Sequence, residues 1–151
     1  MSRQCNILLI DDDLVVRQSL GQVLTVENFR VVPAQNQQEA LREFQSQPID
    51  QPIDVVLLDL SPPNESAWDT VRHLTALQPD LPVVAMTARL EQHESIIGAA
   101  LFDALMEKPV DLVLLMKTIN ELTSQPPEPR RRCNNRHRVT NGNQSSHYEY
   151  E

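Results

Sequence analysis

The 151-residue sequence predicts an α/β protein, a doubly wound sheet of five parallel strands with five helices. Two observations lead to this fold class. Short, continuous apolar runs alternate along the chain with segments whose apolar residues recur at helical spacing. The runs also lack polar alternation, which is typical of strands that helices cover on both faces. At this length we expect one domain with a single sizeable core.

Five apolar runs are the predicted strands. Consecutive side chains of a strand point to opposite faces of the sheet, so a continuous apolar run predicts burial on both faces. The runs are also shorter than a helix of ordinary length. They are residues 6–10 (NILLI), 31–34 (VVPA), 54–58 (DVVLL), 82–86 (PVVAM) and 104–107 (ALME).

Segments with helical spacing follow each of these runs. In the first segment, Leu20, Val23 and Leu24 fall on one face of a helix. A right-handed crossover between parallel strands carries each helix back over the sheet, which places helices on both faces. The predicted helices are residues 14–27, 36–46, 65–77, 90–101 and 110–123.

The end of the chain differs in composition, so we divide the sequence into a domain over residues 1–124 and a tail over residues 125–151. The tail is polar and basic, lacks periodicity, and is predicted to be disordered. Residues 1–125 contain 8 Lys or Arg and 18 Asp or Glu, and this acidity argues against nonspecific DNA binding by the body. The tail run RRRCNNRHR could contact nucleic acid or an acidic partner, but a solvated tail is the simpler interpretation.

Nothing in the sequence marks the protein for a membrane or for export. Its apolar runs are far shorter than the roughly 18 residues that a membrane span needs, and no signal-peptide core follows the first residues. Cys5 and Cys133 are too few and too scattered for a disulfide framework or a zinc site. We therefore predict a cytoplasmic protein.

Polar residues come directly after four of the five predicted strands. Asp11 and Asp12 follow the first strand, and one residue each follows the third, fourth and fifth: Asp59, Thr87 and Lys108. In open parallel sheets, ligands bind beyond the carboxyl ends of the strands. These five side chains are therefore expected to meet at one rim of the sheet.

The three consecutive aspartates are expected to differ in role. Asp13 is best explained as the cap of the following helix, where a carboxylate meets free N–H groups. Asp11 and Asp12 could be ordinary loop residues, but their mutual repulsion favours a cation between them. Mg²⁺ suits the site, because it accepts carboxylate, water and phosphate oxygens.

The chemistry that such a rim supports is phosphoryl transfer. A carboxylate beside a hard dication can attack phosphorus and form an acyl phosphate. The ammonium group of Lys108 can bind phosphoryl oxygens, and the hydroxyl of Thr87 can donate a hydrogen bond to one of them.

Four segments, in this order, resemble the receiver domain of bacterial two-component response regulators: ILLIDDD, DVVLLDLSPP, VVAMTA and MEKPV. The resemblance extends over residues 5–123. It implies a flavodoxin-like fold with strand order 2-1-3-4-5, which periodicity alone does not establish. It implies that Asp59 is the phosphoacceptor, and that Mg²⁺ is bound by Asp11, Asp12, Asp59 and the main-chain carbonyl of Ser61.

The resemblance assigns the remaining rim residues as well. Thr87 matches the hydroxyl that moves on phosphorylation, and Lys108 matches the lysine that pairs with the phosphoryl group. The Lys108–Pro109 bond is expected to be cis. Leu105 stands where the family often has an aromatic residue that turns inward with the threonine, and this departure leaves the usual readout open.

The resemblance also implies partners. The phosphodonor would be a sensor histidine kinase or a phosphotransfer protein, and the output partner would bind at residues 90–122. A homodimer is compatible with the family. We expect no DNA-reading domain after residue 123, because the polar tail cannot bury a core.

Two other functions are alternatives to phosphorylation-controlled signalling. An aspartate-nucleophile phosphatase of the haloacid-dehalogenase type usually has a second acid two residues after the nucleophile, but Ser61 occupies that place. An interaction module that works without phosphorylation is favoured by Leu105 and opposed by the presence of all the rim residues.

Two further features lie outside this set. The tandem repeat QPIDQPID at residues 47–54 is predicted to lengthen a surface loop with little functional consequence. Trp68, the only tryptophan, is predicted to pack at the start of the third helix, with a partner contact as the alternative.

Overall fold

The computed structural model describes residues 4–60, 65–88, 102–124, 138–141 and 144–148. Over these ranges it confirms the predicted α/β architecture, a central parallel sheet between two layers of helices. None of the helices in these ranges has the length and apolar character that a bilayer span requires.

The five predicted strands form, each within one residue of the predicted bounds. Their order in the sheet is 2-1-3-4-5, and all four pairings among them are parallel. This confirms the order that the family resemblance implied. The strands are β1 (Asn6–Ile10), β2 (Arg30–Ala34), β3 (Val55–Asp59), β4 (Val83–Thr87) and β5 (Ala104–Glu107).

Four of the predicted helices lie in the described ranges, and the predicted helix at residues 90–101 lies outside them. Asp13 caps the first helix as predicted, because its Oδ1 accepts hydrogen bonds from the main-chain N–H groups of Val15 and Val16. After that helix Asn28 has φ of 71°, a left-handed conformation that asparagine tolerates better than most residues. The helices are α1 (Leu14–Val26), α2 (Gln37–Ser46), α3 (Glu65–Leu77) and α4 (Leu112–Ser124).

Two apolar layers lie on opposite faces of the sheet. Alternate residues of β1 contribute to each, with Leu8 facing α2 and α3 and Leu9 facing α1 and α4. Trp68 packs in the first layer, where its ring centroid lies 5.1 Å from that of Phe102. The prediction that Trp68 packs at the start of α3 is therefore confirmed.

One residue of the predicted apolar face of α1 does not reach the core. Leu24 is fully buried, whereas Val23 is 37 % exposed. The close approach of the helix to the sheet is at Gly21, where an added Cβ would lie 3.7 Å from Val31 Cγ1. The helix is thus rotated so that Gly21 and Leu24 meet the sheet and Val23 turns toward solvent.

The tail contains two strands that the sequence prediction did not include. β6 (Arg138–Asn141) pairs in parallel with β5, and β7 (Gln144–Tyr148) pairs antiparallel with β6. The structure has strands in these two segments, whereas the disorder expected for the tail as a whole stays a prediction. Pairing along a free strand edge uses main-chain groups and needs no apolar periodicity. The division of the chain after residue 124 stays a prediction.

The two copies of the QPID repeat have different environments. Ile49 of the first copy is fully exposed, whereas Ile53 of the second copy is 2 % exposed and belongs to the core. Asp54 ends the second copy, and its Oδ2 accepts a hydrogen bond from the main-chain N–H of Asn6 at 2.8 Å. The repeat therefore extends a surface loop with its first copy only, and the second copy is part of the packed fold.

Candidate functional site

The carboxyl ends of the parallel strands bring the predicted residues to one rim. Asp11 and Asp12 follow β1, and Lys108 follows β5. β3 and β4 each end one residue later than predicted. Asp59 and Thr87 are therefore the last residues of these strands and not the residues that follow them. Ser61 lies outside the described residues.

Three carboxylates converge at this rim. Each of Asp11, Asp12 and Asp59 offers an oxygen, and these oxygens lie within 4.8 Å of one another. Their exposure is graded, since Asp11 is buried, Asp59 is partly buried and Asp12 is exposed. The cluster therefore opens to solvent on the side of Asp12, and all its ligand atoms are the hard oxygens that Mg²⁺ prefers.

The loop between β1 and α1 holds Asp11 at several points. Its main-chain N–H donates to the carbonyl of Ala34 at 3.1 Å, and its Oδ1 accepts from the N–H of Asp13 at 2.9 Å. Its other oxygen, Oδ2, is buried and receives no hydrogen bond within the part of the chain that the structure describes. One fixed lone-pair-bearing oxygen is thus aimed into the cluster.

Lys108 provides a positive charge at the rim. Its Nζ lies 2.9 Å from Asp59 Oδ1 and 3.8 Å from Asp11 Oδ2, and its side chain is 25 % exposed. The main-chain N–H of Lys108 donates to the carbonyl of Thr87 at 2.7 Å, which fixes the start of the loop. The Lys108–Pro109 bond is cis, as predicted.

The electrostatics of the cluster are unbalanced in favour of negative charge. The pKa of Asp11 is raised to about 6, chiefly by burial; the hydrogen bond from the Asp13 N–H and the charge of Lys108 lower it, and the neighbouring carboxylate of Asp59 raises it. One ammonium group therefore does not neutralise three carboxylates. A dication fits both the oxygen set and the unsatisfied Asp11 Oδ2.

Thr87 and Leu105 lie next to this rim in neighbouring strands. Thr87 is 1 % exposed at the end of β4. Leu105 is buried in β5, where it is in register with Ala85 and belongs to the same apolar layer as Trp68. A leucine rather than an aromatic side chain thus fills this part of the core.

Arg17 is a residue at the site that sequence reasoning missed. From the first turns of α1, its Nη1 donates a hydrogen bond to the main-chain carbonyl of Asp11 at 2.6 Å. A signal was present, because the amino end of a helix is its positive end and disfavours cations. An arginine four residues after the Asp13 cap therefore calls for a specific partner.

Comparison with known families agrees with this geometry. The family model of the response regulator receiver domain matches residues 7–120. The chain belongs to this family. The match includes the three carboxylates, Thr87 and Lys108.

Relatives that are similar to this chain include a response regulator and a transcriptional regulatory protein. RR06 of Streptococcus pneumoniae serotype 2 is 33% identical over 118 residues, which are 78% of this chain and 52% of RR06. The transcriptional regulatory protein CpxR of Escherichia coli K12 is 33% identical over 104 residues, 68% of this chain and 42% of CpxR. The receiver domain described here thus spans about half the length of these relatives.

Solved structures show the same fold. A response regulator receiver domain protein from Clostridium thermocellum is 27% identical with a TM-score of 0.69, and the alignment covers 79% of this chain and 94% of that one. TrrA of Thermotoga maritima, solved in complex with Mg²⁺ and BeF, is 24% identical with a TM-score of 0.67 over 79% of this chain and 99% of that one.

Proposed function

We propose that this receiver domain accepts a phosphoryl group on Asp59 in a Mg²⁺-dependent reaction and acts as a phosphorylation-controlled switch in two-component signal transduction. The donor is a sensor histidine kinase or a phosphotransfer protein. The observation that carries the proposal is the position of Asp59, whose carboxylate lies 2.9 Å from Lys108 Nζ and within 4.8 Å of the Asp11 and Asp12 oxygens.

The residues that would hold Mg²⁺ are Asp11, Asp12, Asp59 and the main-chain carbonyl of Ser61. The Oδ2 of Asp11, which accepts no hydrogen bond from the described residues, and the exposure of Asp12 support this assignment, since one fixed ligand and one accessible ligand suit an ion that keeps part of its water. When bound, Mg²⁺ supplies the positive charge that lets phosphoryl oxygens approach the three carboxylates.

The transfer step is a displacement at phosphorus. A carboxylate oxygen of Asp59 forms a bond to phosphorus, the bond from phosphorus to the donor nitrogen breaks, and the donor keeps the electron pair and takes a proton. Lys108 then binds a phosphoryl oxygen in place of its present partner, Asp59 Oδ1. Thr87 donates its hydroxyl hydrogen to another phosphoryl oxygen, which couples β4 to the phosphorylated state.

Signalling then depends on contacts of the domain surface. We assign output to residues 90–122, of which the structure describes β5 and α4. Leu105 lies in β5, the strand that pairs with the strand ending in Thr87, and its buried packing supports a part in the switch. A cytoplasmic location, a homodimer and a role as phosphoacceptor rather than phosphatase belong to the same proposal, and Ser61 in place of a second acid supports the last of these.

The test is direct phosphorylation with a small donor. The protein is incubated with acetyl phosphate and Mg²⁺, and its intact mass is measured for wild type, Asp59→Asn and Asp69→Asn. Asp69 is a matched control, because it is a half-exposed carboxylate on α3 that pairs with Arg72 away from the carboxylate cluster. We expect one labile phosphoryl group on wild type and on Asp69→Asn, and none on Asp59→Asn or after chelation of Mg²⁺.

Two outcomes would replace the proposal. A wild-type protein that stays unmodified would favour an interaction module that works without phosphorylation. Rapid hydrolysis of many phosphoesters, with loss of activity in Asp59→Asn, would favour a phosphatase.

A further inference from the structure

The side chain of Arg17 contacts the site through a main-chain carbonyl and does not form an ion pair with its carboxylates in the described contacts. It lies in the first turns of α1, is partly buried, and donates from Nη1 to the main-chain carbonyl of Asp11 at 2.6 Å. Its own N–H bonds to the carbonyl of Asp13 at 2.9 Å, as in any helix. The guanidinium therefore reaches back across the loop that carries the acidic pair.

This position is not explained by the helix itself. Asp13 already accepts hydrogen bonds from the free N–H groups of Val15 and Val16 at the start of α1. A cation near this end opposes the helix dipole, so Arg17 weakens the helix unless another contact offsets the cost. The contact that the structure provides is the charge-assisted hydrogen bond to the Asp11 carbonyl.

The bonded carbonyl is part of the peptide unit that joins Asp11 to Asp12. Because that unit is planar, fixing its oxygen also fixes the direction of the Asp12 N–H and limits how both residues can turn. Asp11 is additionally held by Ala34 and by the Asp13 N–H. Asp12 is exposed, so the peptide unit is an important restraint on the direction of its carboxylate.

We propose that Arg17 is a positioning residue that orients the carboxylates of Asp11 and Asp12 for the dication. Repulsion among three carboxylates tends to open the loop. Arg17 resists this opening through the main chain and leaves the carboxylate oxygens available as ligands. This inference rests on the proposed function, since it concerns the same Mg²⁺ site.

An electrostatic role and a positioning role of Arg17 predict opposite changes in Mg²⁺ affinity when the side chain is removed. A guanidinium near a dication site repels the ion, so a purely electrostatic role predicts tighter Mg²⁺ binding when Arg17 is removed. A positioning role predicts weaker binding, because the ligands are no longer held in the geometry that the ion needs.

The experiment measures Mg²⁺ affinity by calorimetry without any phosphodonor, and the initial rate of phosphorylation by acetyl phosphate at saturating Mg²⁺. The variants are Arg17→Met, Arg17→Gln and Arg17→Lys, with Arg72→Met as control, because Arg72 is exposed and pairs with Asp69 on α3. We expect about tenfold weaker Mg²⁺ binding in Arg17→Met. Arg17→Lys, which keeps a charged donor, should recover part of this loss, and Arg72→Met should match wild type.

Unchanged or tighter Mg²⁺ binding in Arg17→Met would overturn the inference. If that variant does not fold, as judged by circular dichroism, Arg17→Gln and Arg17→Lys provide the same comparison. Failure of the proposed function would look different, since wild type would then bind Mg²⁺ and show no phosphorylation, and the calorimetric comparison would still decide the role of Arg17.

Discussion

The two ends of β1 each bury a polar side chain, and they use it in different ways. Asn6 at the amino end and Asp11 after the carboxyl end are both 1 % exposed. Asn6 Nδ2 donates to the carbonyl of Pro52, and its main-chain N–H donates to Asp54 Oδ2. Asp11 instead keeps an oxygen without a hydrogen bond from the described residues and has a raised pKa.

The buried polar group at the amino end of β1 therefore serves the stability of the fold, and the one after its carboxyl end serves ligand binding. A buried polar group whose partners are present supports the fold, because each hydrogen bond compensates for lost hydration. A buried carboxylate that lacks such compensation destabilises the protein until a ligand supplies positive charge. We therefore expect substitutions at the amino end to lower the free energy of unfolding. Substitutions of Asp11 should weaken ligand binding and, above pH 6 in the absence of metal, raise the free energy of unfolding.

The largest expected effect is on Mg²⁺ binding at the carboxyl end. Asp11→Asn keeps an oxygen that can accept from the Asp13 N–H but removes the charge that a dication requires. We expect Mg²⁺ affinity to fall roughly 100-fold, measured by calorimetry. Asn6→Ala should bind Mg²⁺ as wild type does if it folds, and a comparable loss of affinity in both variants would contradict the separation.

In metal-free buffer, the raised pKa of Asp11 should also make the free energy of unfolding depend on pH. The pKa of Asp11 rises from 3.8 to about 6 on folding, so between these values the folded protein binds more protons than the unfolded chain. The contribution of Asp11 to the free energy of unfolding should then fall by about 2 to 3 kcal/mol as pH rises from about 4 to above 6.

Urea unfolding of wild type and Asp11→Asn at several pH values checks this. The asparagine variant lacks the titrating group, so it should be the more stable of the two above pH 6, by roughly the same 2 to 3 kcal/mol. Equal slopes for both proteins across the window would show that Asp11 does not titrate in this way. Added Mg²⁺ should raise the stability of wild type by mass action and change the variant little.

A smaller effect is expected at the amino end, where the repeat offers a matched pair. Asp54→Ala removes the acceptor of the Asn6 N–H and should lower the free energy of unfolding by about 2 kcal/mol. Asp50→Ala makes the same change in the exposed first copy and should stay within about 0.5 kcal/mol of wild type. Urea unfolding measures both, and equal effects would mean that the hydrogen bond contributes nothing.

The strands and the rim could be predicted from the sequence because both depend on regular geometry. Val55, Val56 and Leu57 are apolar in succession since helices cover both faces of the sheet, and this constraint is visible in the residues themselves. The meeting of Asp11 with Asp59 follows from parallel strand direction, because the carboxyl ends of such strands share one edge.

Features that rest on main-chain partners could not be predicted in the same way. The acceptor of Arg17 is a carbonyl, whose direction depends on the loop conformation and not on any residue type. β6 extends the sheet through the main chain of β5, and its sequence RVTN carries too little apolar character to indicate a strand. A side-chain feature was also beyond prediction. The exposure of Val23 depends on how α1 is rotated about its axis against Val31, and the spacing of apolar residues does not determine this rotation.

The unequal burial of the two QPID copies has a practical use in protein engineering. The first copy precedes β3 and therefore lies toward the end of the sheet opposite the carboxylates. With Ile49 fully exposed, this segment can accept a peptide epitope or a fluorescent label at little energetic cost. A probe placed after Asp50 would track the protein while leaving the carboxylate cluster of Asp11, Asp12 and Asp59 chemically intact.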